Sequence, residues 1–169
     1  MGLDMYLEIR KNEYRSRNHK DKGSRLKLEY PKDITEFIPN LTDLTISRKT
    51  NYEVGYWRKA NHIHNWFIQN CADRDEWGDP IDDCRPIEIT VDKLEELLES
   101  CKKVLADHSL ASSLLPAQSG FFFGSTDYDE YYFKDIEDTI EIIEPVLKFA
   151  KHKLEIKDYD WEVYYQASW

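Results

Sequence analysis

Two histidines, His62 and His64, stand two residues apart in the segment NHIHNW, and that spacing makes a metal pair on only one kind of backbone. On a strand both rings leave from one side. On a helix, residues two apart are turned roughly 200° from each other, so the rings diverge and cannot share an ion. Residues 53–71 (EVGYWRKANHIHNWFIQNC) read as a helix, because Ala60, Ile63, Phe67 and Cys71 recur at three-four spacing with Trp57 and Trp66 beside them. A helical backbone excludes a zinc site here. It puts His64 on the apolar side as a hydrogen-bonded core histidine. Arg58, Asn61, His62, Asn65 and Gln69 gather on the opposite side, where amides and cations could hold phosphate oxygens or base edges. The competing reading is an ordinary solvated face.

A second candidate is GFFFGST, residues 120–126. A Walker loop needs G-x-x-x-x-G-K-[ST], and its lysine reaches the β and γ phosphates. Here three residues separate Gly120 from Gly124, and Ser125 stands at the lysine position. Nucleotide hydrolysis of that type is excluded. The backbone N–H groups around Ser125 and Thr126 can still form a weak anion site ahead of a helix, although Asp127, Asp129 and Glu130 oppose phosphate.

Aromatic residues supply a third. Phe121, Phe122 and Phe123 cannot all face one core, and Tyr128, Tyr131, Tyr132 and Phe133 follow closely. Tyr6 and Tyr131 are the candidates for stacking on a base, which is worth ~1–3 kcal/mol per base. Core packing or a subunit interface would use such rings equally well. Carboxylates are plentiful but do not resolve into an acid–base pair, and no G-x-S-x-G elbow or Cys–His arrangement stands out. No catalytic residue, metal ligand or cofactor is expected.

The elements that must position these groups follow from periodicity. Residues 3–9 alternate, with Leu3, Met5, Leu7 and Ile9 on one face, and predict a half-buried strand. Residues 10–52 form a long polar segment broken by Gly23, Pro31 and Pro39, read as a basic, mainly irregular loop. After the 53–71 helix and an acidic turn at 73–84, Arg85–Val91 suits a short strand, which Pro86 pushes to an edge or a strand start. Asp92 with Glu95 has the form of a capping box for a second helix, frayed from His108 to Leu115. Residues 117–126 predict an apolar strand or turn. Thr126 with Asp129 would cap a third helix, with a kink or break at Pro145. The tail DYDWEVYYQASW alternates like a strand ending in exposed aromatics. The expected fold is α+β: one domain over residues 1–169, with a small, mainly antiparallel sheet and about three helices on one face.

Composition narrows the function classes. The 169 residues carry 23 basic and 33 acidic side chains, a net charge of −10. Eight basic and two acidic residues fall within 10–27, so the remainder holds 15 basic and 31 acidic. A chain this acidic is a poor binder of duplex nucleic acid, but a small phosphorylated ligand feels only the charges within a Debye length of ~8–10 Å. No stretch approaches the ~18 apolar residues of a membrane span, and the start lacks the pattern of a signal peptide. Cys71, Cys84 and Cys101 are odd in number and widely spaced, which suits a reducing cytoplasm.

Three blocks are familiar: MGLDMYL at the start, YWRKANHIHNWF at 56–67, and LLPAQSGFFFG with YDEYYF at 114–133. Together they resemble a widespread bacteriophage and prophage family. The chain is similar to phage anti-CBASS sponges, small oligomeric proteins that sequester the nucleotide signals of host defence. The resemblance implies a non-enzymatic, cytoplasmic homo-oligomer that holds a cyclic dinucleotide or related signal near subunit interfaces, and it assigns no site residues. Read bottom-up, Arg58, Asn61, His62, Asn65, Ser125 and Thr126 would hold phosphate or base edges while Tyr6 and Tyr131 stack. The alternatives are an acidic nucleic-acid mimic that inhibits a host defence protein, and an enzyme acting on phosphorylated small molecules.

Overall fold

Alternation at the start of the chain builds the first strand. In the computed structural model, which describes residues 2–15, Lys32, Ile34 and 46–169, Leu3, Met5, Leu7 and Ile9 all turn inward and are buried. Strand β1 (Asp4–Arg15) pairs with β2 (Ile46–Arg58) on one side and with β4 (Trp161–Ser168) on the other. A two-residue strand, β3 (Ile87–Glu88), lies against β4 at the far edge, where the preceding Pro86 leaves no ladder bond unmade. The order is β2-β1-β4-β3, antiparallel throughout.

Helices cover one face of this sheet, as the α+β expectation required. They are α1 (Asn61–Cys71), α2 (Val91–Ala106), the single turn α3 (Ala111–Leu114) and α4 (Glu130–Glu155). Phe67 of α1 stacks on Tyr165 of β4 with centroids 4.1 Å apart. Ile142 of α4 lies over Gly55 of β2, where any Cβ would overlap it, so the glycine sets how closely α4 approaches the sheet. The register slips between Leu7 and Glu8 beside this contact, leaving Val54 as the extra residue of a bulge. Helix α2 packs along α4.

Several expectations need correction. The segment 53–71 is not one helix: residues through Arg58 belong to β2, the chain turns at Lys59 (φ 62°), and α1 begins at Asn61. Pairing with β1 claims those residues, and the turn is fixed by Lys59 N donating to Leu3 O (2.8 Å) and Asn61 N to Lys59 O (2.8 Å). The ends of the expected 10–52 loop are paired strand, with Arg10 opposite Asn51 and Arg15 opposite Ile46. Its middle, with most of the basic run, lies outside the described residues except for Lys32 and Ile34.

Helix α4 passes through Pro145 without breaking, because the proline sits on the exposed side where water can satisfy the freed carbonyl. The caps also differ by a few residues. Thr90 caps α2, accepting from Lys93 N, and Asp129 caps α4, accepting from Tyr131 N and Tyr132 N at 3.0 and 3.1 Å. Residues 117–126 form turns and contain no strand. Trp169 is half-buried, its ring edge-on to His64 and Phe123.

Candidate functional site

The turn between β2 and α1 brings the N-terminal residues, the start of α1 and the 117–126 loop to one corner. Asn61 is its clamp. Its Nδ2 donates to the carbonyls of Ser125 (2.7 Å) and Phe123 (3.1 Å), and its Oδ1 accepts from Gln118 N (2.9 Å). One helical turn on, Asn65 Nδ2 donates to Pro116 O at 3.1 Å. Both amides hold loop backbone, and Asn61 is buried. They are positioning residues rather than free ligand donors, which corrects the solvent-facing patch expected of them.

His62 is corrected more sharply. It is 2% exposed, with its ring against Tyr132 at a centroid distance of 4.1 Å and Nε2 left without a hydrogen-bond partner. Burial pushes its pKa down to about 3, so it stays neutral and cannot attract phosphate by charge. Its reversal has a simple origin: Tyr132 of α4 covers the side of α1 that an isolated helix would leave wet. His64 meets expectation. Its Nδ1 lies 2.8 Å from Tyr165 Oη and its Nε2 3.2 Å from Asp82 Oδ2, so a single tautomer accepts from the tyrosine and donates to the carboxylate. The order carboxylate–imidazole–hydroxyl is that of a nucleophilic array. Tyr165 is 1% exposed, however, and burial holds its hydroxyl well above its ordinary pKa, so no substrate reaches it. The network pins α1, β4 and the 73–84 segment together.

Arg58 stays available, on a different element. It leaves the end of β2 on the sheet face opposite the helices, and it is exposed, as is Lys59. A Cβ built on Gly2 would lie 3.5 Å from Lys59 Cε and 3.9 Å from Arg58 Nε. The Lys59 stem also runs along Gly124 (φ 89°), where a Cβ would meet its own Cβ at 3.2 Å. Among the described residues neither cation forms an ion pair, and the N–H groups of Gly124, Ser125 and Thr126 donate to nothing. Ser125 Oγ accepts from Asp127 N at 3.1 Å, and Thr126 is exposed. Tyr6 and Tyr56 stand on the same outer sheet face, ring centroids 5.5 Å apart, with Tyr56 Oη donating to Asp4 Oδ1 at 2.6 Å.

Arg58, Ser125 and Thr126 therefore share one corner through Lys59 and Asn61, and Tyr6 lies on the sheet face beside it. Tyr131 does not join them; it is 73% exposed in the first turn of α4. Sequence reasoning missed Lys59 and Tyr56, because both had been drawn into a helix. The period-two pattern Tyr56-Trp57-Arg58, with Trp57 buried between two exposed residues, was the available signal.

Two grooves lie elsewhere and are acidic. One of about 420 Å³ runs between β4, the start of α2 and the end of α4, lined by Glu88, Asp92, Asp158 and Glu162 against Lys153, which is paired to Asp158 at 2.8 Å. The other, about 440 Å³, has Asn65 at its rim with Glu96 and Glu99. Neither suits an anion. Among the described residues no group of three or more His, Cys, Asp or Glu side chains is placed to hold a metal, and no helix is long and apolar enough to cross a membrane. No protein-family model, curated protein or solved structure matches the chain.

Proposed function

We propose that this protein is a non-enzymatic binder of a small nucleotide, held at the corner between β2 and α1. The observation that carries this reading is the pair of adjacent cations, Arg58 and Lys59, which form no ion pair among the described residues of a chain of net charge −10, although Asp4 stands directly across the sheet from Arg58. The Lys59 stem lies beside Gly124, whose N–H and those of Ser125 and Thr126 donate to nothing among the described residues, and Arg58 shares the outer sheet face with the Tyr6–Tyr56 rings. Cations and N–H donors hold phosphate; tyrosine faces stack on a base. Given the resemblance to phage sponges, the ligand to test first is a cyclic dinucleotide or related immune signal. Sequestering it would inhibit host anti-phage defence.

An acidic mimic of nucleic acid is less well supported. About half of the carboxylates of α2 and α4 are paired to lysines, as in Lys102–Glu144 (2.6 Å), Lys103–Glu99 (2.7 Å) and Lys134–Asp138 (2.7 Å). Calorimetry with a panel of cyclic and linear dinucleotides is the test, with each bound ligand heat-released and weighed. Binding that falls at least tenfold in Arg58→Ala and in Lys59→Ala, with ligand recovered intact, is the expected result. Ligand returned with altered mass makes the protein an enzyme, and no binding across the panel ends the nucleotide reading.

A further inference from the structure

Among the described residues strand β2 is an edge of the sheet for its whole length, and several of its charges form no ion pair. Its inner neighbour is β1; no described residue pairs with its other side. Ser47, Arg48, Lys49, Asn51, Tyr52 and Glu53 are all exposed. An edge of 13 residues is a template for another strand, which monomeric chains blunt by shortening, proline, bulges or charged side chains such as lysine. β2 contains no proline, and its bulge comes only at Val54.

The outer-face side chains of this edge are mismatched within the chain. Glu53 lies directly opposite Glu8 of β1, and like charges so placed destabilise a sheet. Glu8 is compensated by Arg10 (2.9 Å), whereas Glu53 has no cation among the described residues. Lys49 lies opposite the neutral Asn12 and forms no ion pair among the described residues. Lys49 and Glu53 stand two residues on either side of Asn51. Antiparallel pairing about Asn51 therefore places Lys49 of each copy opposite Glu53 of the other.

We infer that β2 is the interface of a two-fold homodimer, in which two copies pair antiparallel about Asn51 and join their sheets into one of eight strands. In this register Thr50 faces Tyr52, Arg48 faces Val54 and Ser47 faces Gly55, so no like charges meet. Each Glu53 gains a counter-ion that no described residue of its own chain supplies. A two-fold axis normal to the sheet keeps both helical layers on one side and both outer faces on the other. The dimer does not depend on the nucleotide reading, since the Arg58 corner lies beyond the paired centre.

The test is sedimentation velocity on the full chain over a concentration series, with charge reversal at the two positions. The wild-type chain is expected to sediment as a dimer. Lys49→Glu and Glu53→Lys each turn two attractions into two repulsions and should weaken the dimer roughly tenfold or more. The double variant restores the pairs in swapped form and should recover wild-type association, an outcome that misfolding cannot imitate. Asn51→Cys should form a disulfide between copies under mild oxidation, because residue 51 faces itself across the axis. A wild-type monomer throughout the series overturns the proposal. A dimer indifferent to both reversals, or one not restored by the double variant, removes β2 as its interface.

Discussion

The two faces of this sheet are made from the same strands and have opposite lives. On the inner face Met5, Leu7, Ile9, Trp57, Val163 and Tyr165 are buried beneath α1 and α4. On the outer face Tyr6, Glu8, Arg10, Tyr164 and Gln166 are only partly covered, and chiefly by one another. Arg10 lies over the Tyr164 ring at 4.0 Å and bonds Glu8, Tyr6 leans on Tyr56, and Gln166 Nε2 reaches the carbonyl of Cys84 at 3.1 Å. The difference teaches where packing ends: one face is committed to the core, and the other leaves its rings and charges partly open to solvent.

Substitutions at neighbouring positions should expose that contrast. Leu7→Ala on the inner face should cost about 2–5 kcal/mol in urea unfolding, from lost burial and the cavity left behind. Glu8→Ala, one residue on, should stay within about 0.5 kcal/mol. Equal effects would mean the outer face is packed as well.

The Asn61 clamp joins the core to the corner. Asn61→Ala leaves two carbonyls and one N–H without partners and should cost up to about 3 kcal/mol. It should also speed hydrogen exchange across residues 117–126. Unchanged exchange there would show that Lys59 and Phe123 hold the loop unaided.

Acid acts on the helical layer, through two shielded groups whose shifts oppose each other. His62 is held to about 3 by burial against an ordinary 6.5, so the unfolded chain takes up its proton first and stability falls as pH drops below 6.5. At pH 5 this loss is about 2 kcal/mol. Asp135 runs the other way. Burial, with Asp138 and Asp129 adding, pushes its carboxyl up to about 7 from 3.8, so its contribution is present at low pH and fades as pH rises through 7. The sign is isolated by comparing Asp135→Asn with Asp135→Asn/His62→Leu at pH 7 and pH 5. Only the first should lose stability on acidification. The smallest effect belongs to the outer face: Arg58→Ala should leave unfolding within about 0.5 kcal/mol while weakening the proposed nucleotide binding at least tenfold.

Much of the fold was legible because local period and burial agree. Leu3–Ile9 alternates and is a strand; Ala60, Ile63 and Phe67 share a stripe and are buried. The three adjacent phenylalanines divide as sterics required, with Phe123 buried and Phe121 94% exposed. The candidate site was legible only in pieces. Arg58, Ser125, Thr126 and Tyr6 lie at or beside one corner, but Lys59 and Tyr56 were hidden inside an apparent helix. Asn61, His62 and Asn65 were misread because a lone helix does not reveal which second helix or loop will cover it.

The sequence by itself determined the first and last strands, the long helices, the inward residues of β1, and the divergence of His62 from His64, since all of these follow from 2.0- and 3.6-residue periods within one segment. Only the tertiary structure decided that β2 runs to Arg58, that Tyr132 seals His62, and that Lys59 meets Gly124. Those outcomes depend on partners 70 and 65 residues away along the chain in the last two cases, and on strand pairing with β1 in the first. A periodic pattern records which way a side chain points. It carries no record of what arrives to meet it.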